Sequence, residues 1–245
     1  YAHTIRNSQI DKDVYYQVIS GTTVGGTSYP NSSDQAASPL PISDALIADW
    51  EAAAAAGGTA TCSRGSYNIS GSVTLGPKKI PCNLYINGSD RLYLTGPLWV
   101  TGNIQFSNTS KVTVDSSLSG KTVALIADNP ANQTSSSKIL ASNSVEFQGA
   151  GANSYILLIS QNKSAEQGGG EAAIEVSNSV TGKVLVYAGH GEINITNSVH
   201  LKEVSAYRIS IANSAQVLYE TGLANLLFSA GPGGGYTIDE WRETQ

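Results

Sequence analysis

Carboxylates, imidazoles and thiols are the groups in this chain that could do chemistry, and their spacing argues against most of it. Glu175 and Glu192 stand three and five residues before their nearest following Asn-Ser turns, while Glu203 stands six residues after one. Such unequal offsets give no reason for the three to share a strand face, where side chains alternate. Asp115 and Asp128 form a candidate pair, yet both sit beside turns, where Asp is common anyway. A polysaccharide lyase or hydrolase would need several carboxylates together, to hold Ca²⁺ or to act as acid and base. His190 and His200 could be a base or a metal pair, but only Glu192, two residues past His190, lies near either in sequence. Solvated turn histidines are the expectation. No nucleophile elbow, P-loop or dinucleotide fingerprint occurs, and Gly231 to Gly235 is followed by no phosphate-binding Lys. The sequence therefore predicts no catalytic residue, no metal and no cofactor.

Cys62 and Cys82 are 20 residues apart, about one coil of the architecture derived next. Stacked on successive coils they would meet the Cα separation a disulfide requires, which implies an oxidising compartment. The alternative is two buried free thiols. No second pair exists to make a zinc site with them.

The elements that must position these groups follow from a repeat, Ile-x-apolar-x-Asn-[Ser/Thr]. It occurs at Ile104-Gln-Phe106-Ser-Asn108-Thr109, Ile139-Leu-Ala141-Ser-Asn143-Ser144, Ile174-Glu-Val176-Ser-Asn178-Ser179, Ile193-Asn-Ile195-Thr-Asn197-Ser198 and Ile209-Ser-Ile211-Ala-Asn213-Ser214. Each reads as a short strand with two apolar side chains on one face, then a turn. From Asn to Asn the steps are 35, 35, 19 and 16 residues. So short a period signals a solenoid. The longer steps read as two coils each, the skipped coils holding Val123-Ala-Leu-Ile126 and Ile156-Leu-Leu-Ile159, with Val184-Leu-Val-Tyr187 and Leu226-Leu-Phe228 as later members of that row. The predicted fold is all-β: a single-stranded, right-handed parallel β-helix with one short capping helix near residues 43–56. Asn108, Asn143, Asn178, Asn197 and Asn213 would form a ladder. Amides in a row could meet a sugar or a mineral surface, but Asn also tolerates a left-handed turn and stacked amides bond one another, so a structural ladder is the reading adopted.

Along the chain, residues 1–60 read as an N-terminal strand, loop and helix, 61–230 as stacked coils and 231–245 as a C-terminal cap with Trp241 folded back, all within one domain. Val14 to Ile19 alternates as a strand, and Gly21 to Pro41 reads as a loop leaving the coil. Ser43 is a credible N-cap, Ala45 to Ala56 are strong helix formers, Gly57-Gly58 stops them, and Ile42, Leu46, Ile47 and Trp50 make the apolar stripe. Such a helix shields an open end or a flank. Further loops are expected at Asp128 to Lys138, Gln148 to Ser154 and Gln161 to Glu171. Tyr15, Tyr16 and Tyr29 are a candidate binding surface for a glycan or a protein.

Only 13% of residues are charged, with Gly 25 and Pro 8, while Val and Ile crowd the strands. Fourteen basic against 19 acidic residues give a net charge of −5, which disfavours nucleic acid. Met is absent, so the chain is expected to be a processed or excised part of a longer protein, soluble as it stands, with any export signal or membrane anchor upstream of Tyr1.

Ala2-His3-Thr4-Ile5-Arg6-Asn7-Ser8, Leu40-Pro41-Ile42-Ser43-Asp44-Ala45 with Gly57-Gly58, Leu94-Thr95-Gly96-Pro97-Leu98-Trp99-Val100-Thr101-Gly102-Asn103-Ile104, and Gly231-Pro232-Gly233-Gly234 with Trp241-Arg242-Glu243 follow one another in an order that is more specific than any one of them. In this the chain resembles, over nearly its whole length, a poorly characterised bacterial family of exported β-solenoid ectodomains with a minor-pilin-like N-terminal membrane segment. The resemblance implies a fold and a place, extracellular or on the cell surface, and no catalytic residue. The function expected is a non-catalytic structural or adhesive module, pilus-associated, meeting a glycan or surface protein and touching a membrane only through an upstream anchor. The alternatives are a polysaccharide-acting enzyme and a self-assembling filament subunit.

Overall fold

The computed structural model describes residues 2–33, 40–218 and 227–228, in two compact units that divide after Pro39. In the N-terminal unit three strands, Ala2–Arg6, Val14–Ser20 and Ser28–Pro30, pair in parallel with Val14–Ser20 central. Ala2 opposes Tyr16 and Val14 opposes Ser28, so one circuit takes 14 residues. A second parallel ladder joins Gln9–Ile10 to Thr23–Val24 with the same step. Residues 23–30 are thus strand-forming circuit and not the loop expected there. Two-residue strands carry too little alternation to be seen as strands.

In the second unit every named strand pair is parallel, and each circuit contributes to three ladders. The first runs through Ser66–Asn68, Asn83–Ile86, Ile104–Ser107, Ile139–Ser142, Ala172–Ser177 and the ends of Val184–Ile195 and Val204–Ile211. The second runs through Ser72–Leu75, Arg91–Leu94, Lys111–Val114, Glu146–Gln148 and Thr181–Gly182. The third runs through Lys78–Ile80, Leu98–Val100, Lys121–Ala127, Ile156–Ser160 and the starts of Val184–Ile195 and Val204–Ile211.

This register corrects the reading of the long steps. Ile104 opposes Ile139, which opposes Ile174, so each 35-residue step is one circuit and not two. The surplus length lies in the loops at residues 128–138, 149–155 and 161–171, where loops were expected. The apolar runs at 123–126 and 156–159 are therefore not skipped equivalents of the Asn strands but the third ladder of the same circuits. A second correction concerns Leu227–Phe228, which pairs with Lys121 and Thr122 instead of following the row of Val184 to Tyr187. The expected cap at 231–245, Trp241 included, lies outside the described residues.

Inside the coil, Leu84, Ile104, Ile139, Ile174 and Ile193 stack in register, each at most 1% exposed. Full burial of each such side chain stabilises by about 1.5–3 kcal/mol. Phe106 and Phe147 meet edge to face across the core, 5.3 Å apart. The helix, α1 (Asp44–Ala56), begins where Ser43 Oγ accepts from the Leu46 N–H at 3.2 Å, and ends where the Gly57 N–H reaches the Ala54 carbonyl. It lies along a flank: Ile42, Ile47 and Trp50 pack with Ala124, Ile126, Leu157, Ile159, Leu185 and Tyr187 on the outer face of the third ladder. In its later circuits that ladder is buried on both faces, which is why Lys121–Ala127, Ile156–Ser160 and the start of Val184–Ile195 are nearly continuous apolar runs instead of alternating.

Candidate functional site

The five turn asparagines share a left-handed backbone, with φ between 53° and 62°. Asn178 Nδ2 donates to Asn143 Oδ1 at 2.9 Å, Asn197 to Asn178 at 2.7 Å and Asn213 to Asn197 at 3.0 Å. From Asn143 onward the side-chain amides are thus engaged with one another, as a structural ladder requires. Asn108 holds the same turn one circuit earlier, and Gly88 and Gly71 hold it before that, with φ of 62° and 71°. Glycine reaches that backbone freely, so the earliest turns escape an Asn motif.

Cys62 and Cys82 form a disulfide, with Cα atoms 6.4 Å apart. Among the described residues no helix is long and apolar enough to cross a membrane, and no cluster of three or more His, Cys, Asp or Glu could hold a metal. In the N-terminal unit Tyr15 and Tyr29 are directly opposed and their rings stack, centroids 4.3 Å apart. Tyr16, next in the strand, points to the other face, so the three tyrosines do not make one platform.

The carboxylates are distributed differently from the pairs considered above. Asp115 caps the turn Ser116–Leu118, and its hydrogen bonds from Ser117 hold it below the usual carboxylate range. Glu192 is bound by Arg208, with Nη2 at 2.5 Å, and Glu203 accepts from the Ser205 hydroxyl at 3.1 Å. His200 lies exposed in a strand paired with Gln216. Asp128 does not meet Asp115; its partner is Glu51, on α1.

Asp44 and Glu51 lie two turns apart on one helix edge, because seven residues complete nearly two turns. They face Asp128 and Gln161, which follow the third-ladder strands of two successive circuits, and His190 of the next circuit. The carboxyls of Glu51 and Asp128 are neighbours across the helix edge, and Glu51 Oε1 is buried with no hydrogen-bond partner among the described residues. Burial raises both, and for Glu51 the neighbouring Asp128 charge adds to it. Gln133 donates to Asp128 Oδ1 at 2.8 Å, Trp99 Nε1 donates to the Asp128 carbonyl at 3.0 Å, and Lys79 lies 3.7 Å over the Trp99 ring. At the other end His190 bridges two carboxylates, Nε2 to Asp44 at 3.0 Å and Nδ1 to Glu166 at 2.9 Å. Tyr187 donates its hydroxyl to the Ile42 carbonyl, and burial pushes its pKa up to about 12. This seam fastens the helix to the coil.

The opposite condition holds on the outer face of the first ladder. Tyr85, Gln105, Leu140 and Glu175 lie on four successive strands in direct register, about 4.8 Å apart, with Asn194 next. They floor an open groove of about 280 Å³. Lys138 and Glu171, at the ends of two corner loops, stand over it as an ion pair with 2.7 Å between Nζ and Oε2. Asn103 supports that wall, its Oδ1 accepting from the Lys138 N–H at 3.0 Å. The seam and the groove both escaped sequence reasoning. The groove's one signal was the outward position of each Ile-x-apolar repeat, which holds Gln105, Leu140, Glu175 and Asn194.

No family model, curated protein or solved structure matches the chain.

Proposed function

We propose that this chain is the exported body of a non-catalytic β-solenoid module displayed at a bacterial cell surface, and that it serves as a stiff structural or adhesive element. The observation that carries the reading is the stacking of Ile104, Ile139, Ile174, Ile193 and Ile209 in one parallel ladder with its chain of asparagine amides, which makes a stiff support whose first and second outer walls are left open. The disulfide is compatible with an oxidising compartment. Attachment to a pilus-like fibre is supported by the order of the sequence landmarks. The test is retention of the purified chain on cell-surface polysaccharide, with the supernatant assayed for reducing ends and unsaturated sugars. Retention without product is expected. Turnover would overturn the non-catalytic reading in favour of a lyase or hydrolase.

A filament subunit is the second reading, favoured by one feature. Ile209 and Ile211 occupy repeat positions that are buried in earlier circuits, yet they are 43% and 50% exposed. Light scattering across a concentration series decides it: size that grows with concentration supports assembly, and a constant monomer removes it.

A further inference from the structure

We infer that the groove on the first ladder binds an extended, uncharged oligosaccharide, and that Tyr85, Gln105 and Glu175 are its contact residues. The inference rests on the adhesive reading above and names its ligand class. Three features point to a sugar. The floor alternates apolar and polar groups in register: the Tyr85 ring, the Gln105 amide, the Leu140 side chain and the Glu175 carboxylate. A pyranose offers the same pair of chemistries, a C–H face that stacks on rings and alkyl groups and hydroxyls that bond planar amides and carboxylates. Gln105 and Glu175 have no hydrogen-bond partner among the described residues, whereas the wall groups Lys138 and Glu171 are already paired. The volume, near the low end for small-ligand sites, fits one or two sugar units with the remainder continuing along the wall toward Asn194.

Charge and backbone narrow the class. Lys138 is neutralised by Glu171, so Glu175 leaves the floor negative and disfavours uronates and sulfated glycans. A peptide is a poorer occupant, because strands on both sides consume the backbone donors and acceptors of the floor, leaving no edge to extend.

The experiment is calorimetric titration of the full chain with soluble neutral oligosaccharides of several linkages, and with uronate oligosaccharides of equal length, for wild type, Tyr85→Ala, Gln105→Ala and Glu175→Gln. At least one neutral series should bind, with uronates about tenfold weaker or worse. Tyr85→Ala should weaken binding about tenfold or more, as loss of an aromatic anchor does. Glu175→Gln should narrow the gap between neutral and acidic sugars, a change that misfolding would not produce. Gln105→Ala, on the surface, guards against a folding defect in the Tyr85 variant and should also weaken binding. If sugars bind equally well to all three variants, the groove is not the site while the adhesive reading stands. If the chain is retained on cell-surface material but binds no neutral series, the ligand class is wrong. If it is neither retained nor bound by any sugar, the adhesive reading falls with it.

Discussion

Two outer walls of the same coil have opposite fates. The third ladder is roofed by α1, and Lys121–Ala127 is buried at six of its seven positions. The first ladder is open, and Ile139–Ser142 alternates between buried and half-buried. Strand pairing is alike in both, so what differs is only whether something apolar covers the outside. In a parallel coil, then, the periodicity of a strand reports its cover: continuous apolar runs mark a roofed wall, and alternation marks a wall that meets solvent or a ligand. Any recognition this unit performs on its flat faces belongs to the alternating walls, the first ladder and the second, whose Arg91–Leu94 and Lys111–Val114 alternate likewise.

Trp50→Ala would break that contrast most severely. It empties the roof of a side chain 1% exposed, and urea unfolding should show a loss of about 3–5 kcal/mol. The corner ladder comes next. Asn178→Ala removes both amide bonds and puts at φ 56° a residue without asparagine's tolerance of the left-handed backbone, for a cost of about 2 kcal/mol. Asn178→Gly keeps the backbone at ease and should cost about half as much in the same titration.

A smaller effect sharpens the comparison through pH. Glu51 is lifted from an ordinary 4.5 to about 8 in the folded chain. Below that range both states hold the proton and the group contributes nothing. Between the two values the unfolded chain has lost its proton and the folded chain keeps it, so stability falls as pH rises. Glu51→Gln should flatten this slope and gain about 1–2 kcal/mol near pH 8, after discounting for partial exposure. Thermal unfolding at pH 5 and pH 8 checks it; equal differences at both would overturn the assignment. Smallest of all, Leu140→Ala on the open wall should change stability by no more than about 0.5 kcal/mol, although the residue lies as centrally in its ladder as any on the roofed side.

Much of this architecture was legible in the residues, because it is written in local patterns. Ile104-Gln-Phe106-Ser-Asn108 carries strand, inward face and turn within five positions, and Ser43 with Gly57 brackets the helix. The spacing of Cys62 and Cys82 matched one circuit. What local pattern does not carry is how much chain a corner loop consumes, and so the 35-residue circuits were counted double. Glu51 with Asp128, and His190 with Asp44 and Glu166, come together only through docking of α1, across separations up to 146 residues. The groove depends on the register of strands whose outward residues differ in every circuit, so the repeat marks their position but no recurring residue type marks their role.

Successive circuits of the first ladder take 20, 35, 35, 19 and 16 residues, yet Leu84, Ile104, Ile139, Ile174, Ile193 and Ile209 stay paired one above the next. Length is therefore a free variable at the corners, and two of the elastic corners end in Lys138 and Glu171, the rim of the groove. Insertions and deletions there would deepen, narrow or reshape the rim while the core stays as it is. A lineage carrying this coil can change what it grips by altering loop length, a coarser and faster route than substituting the floor one residue at a time.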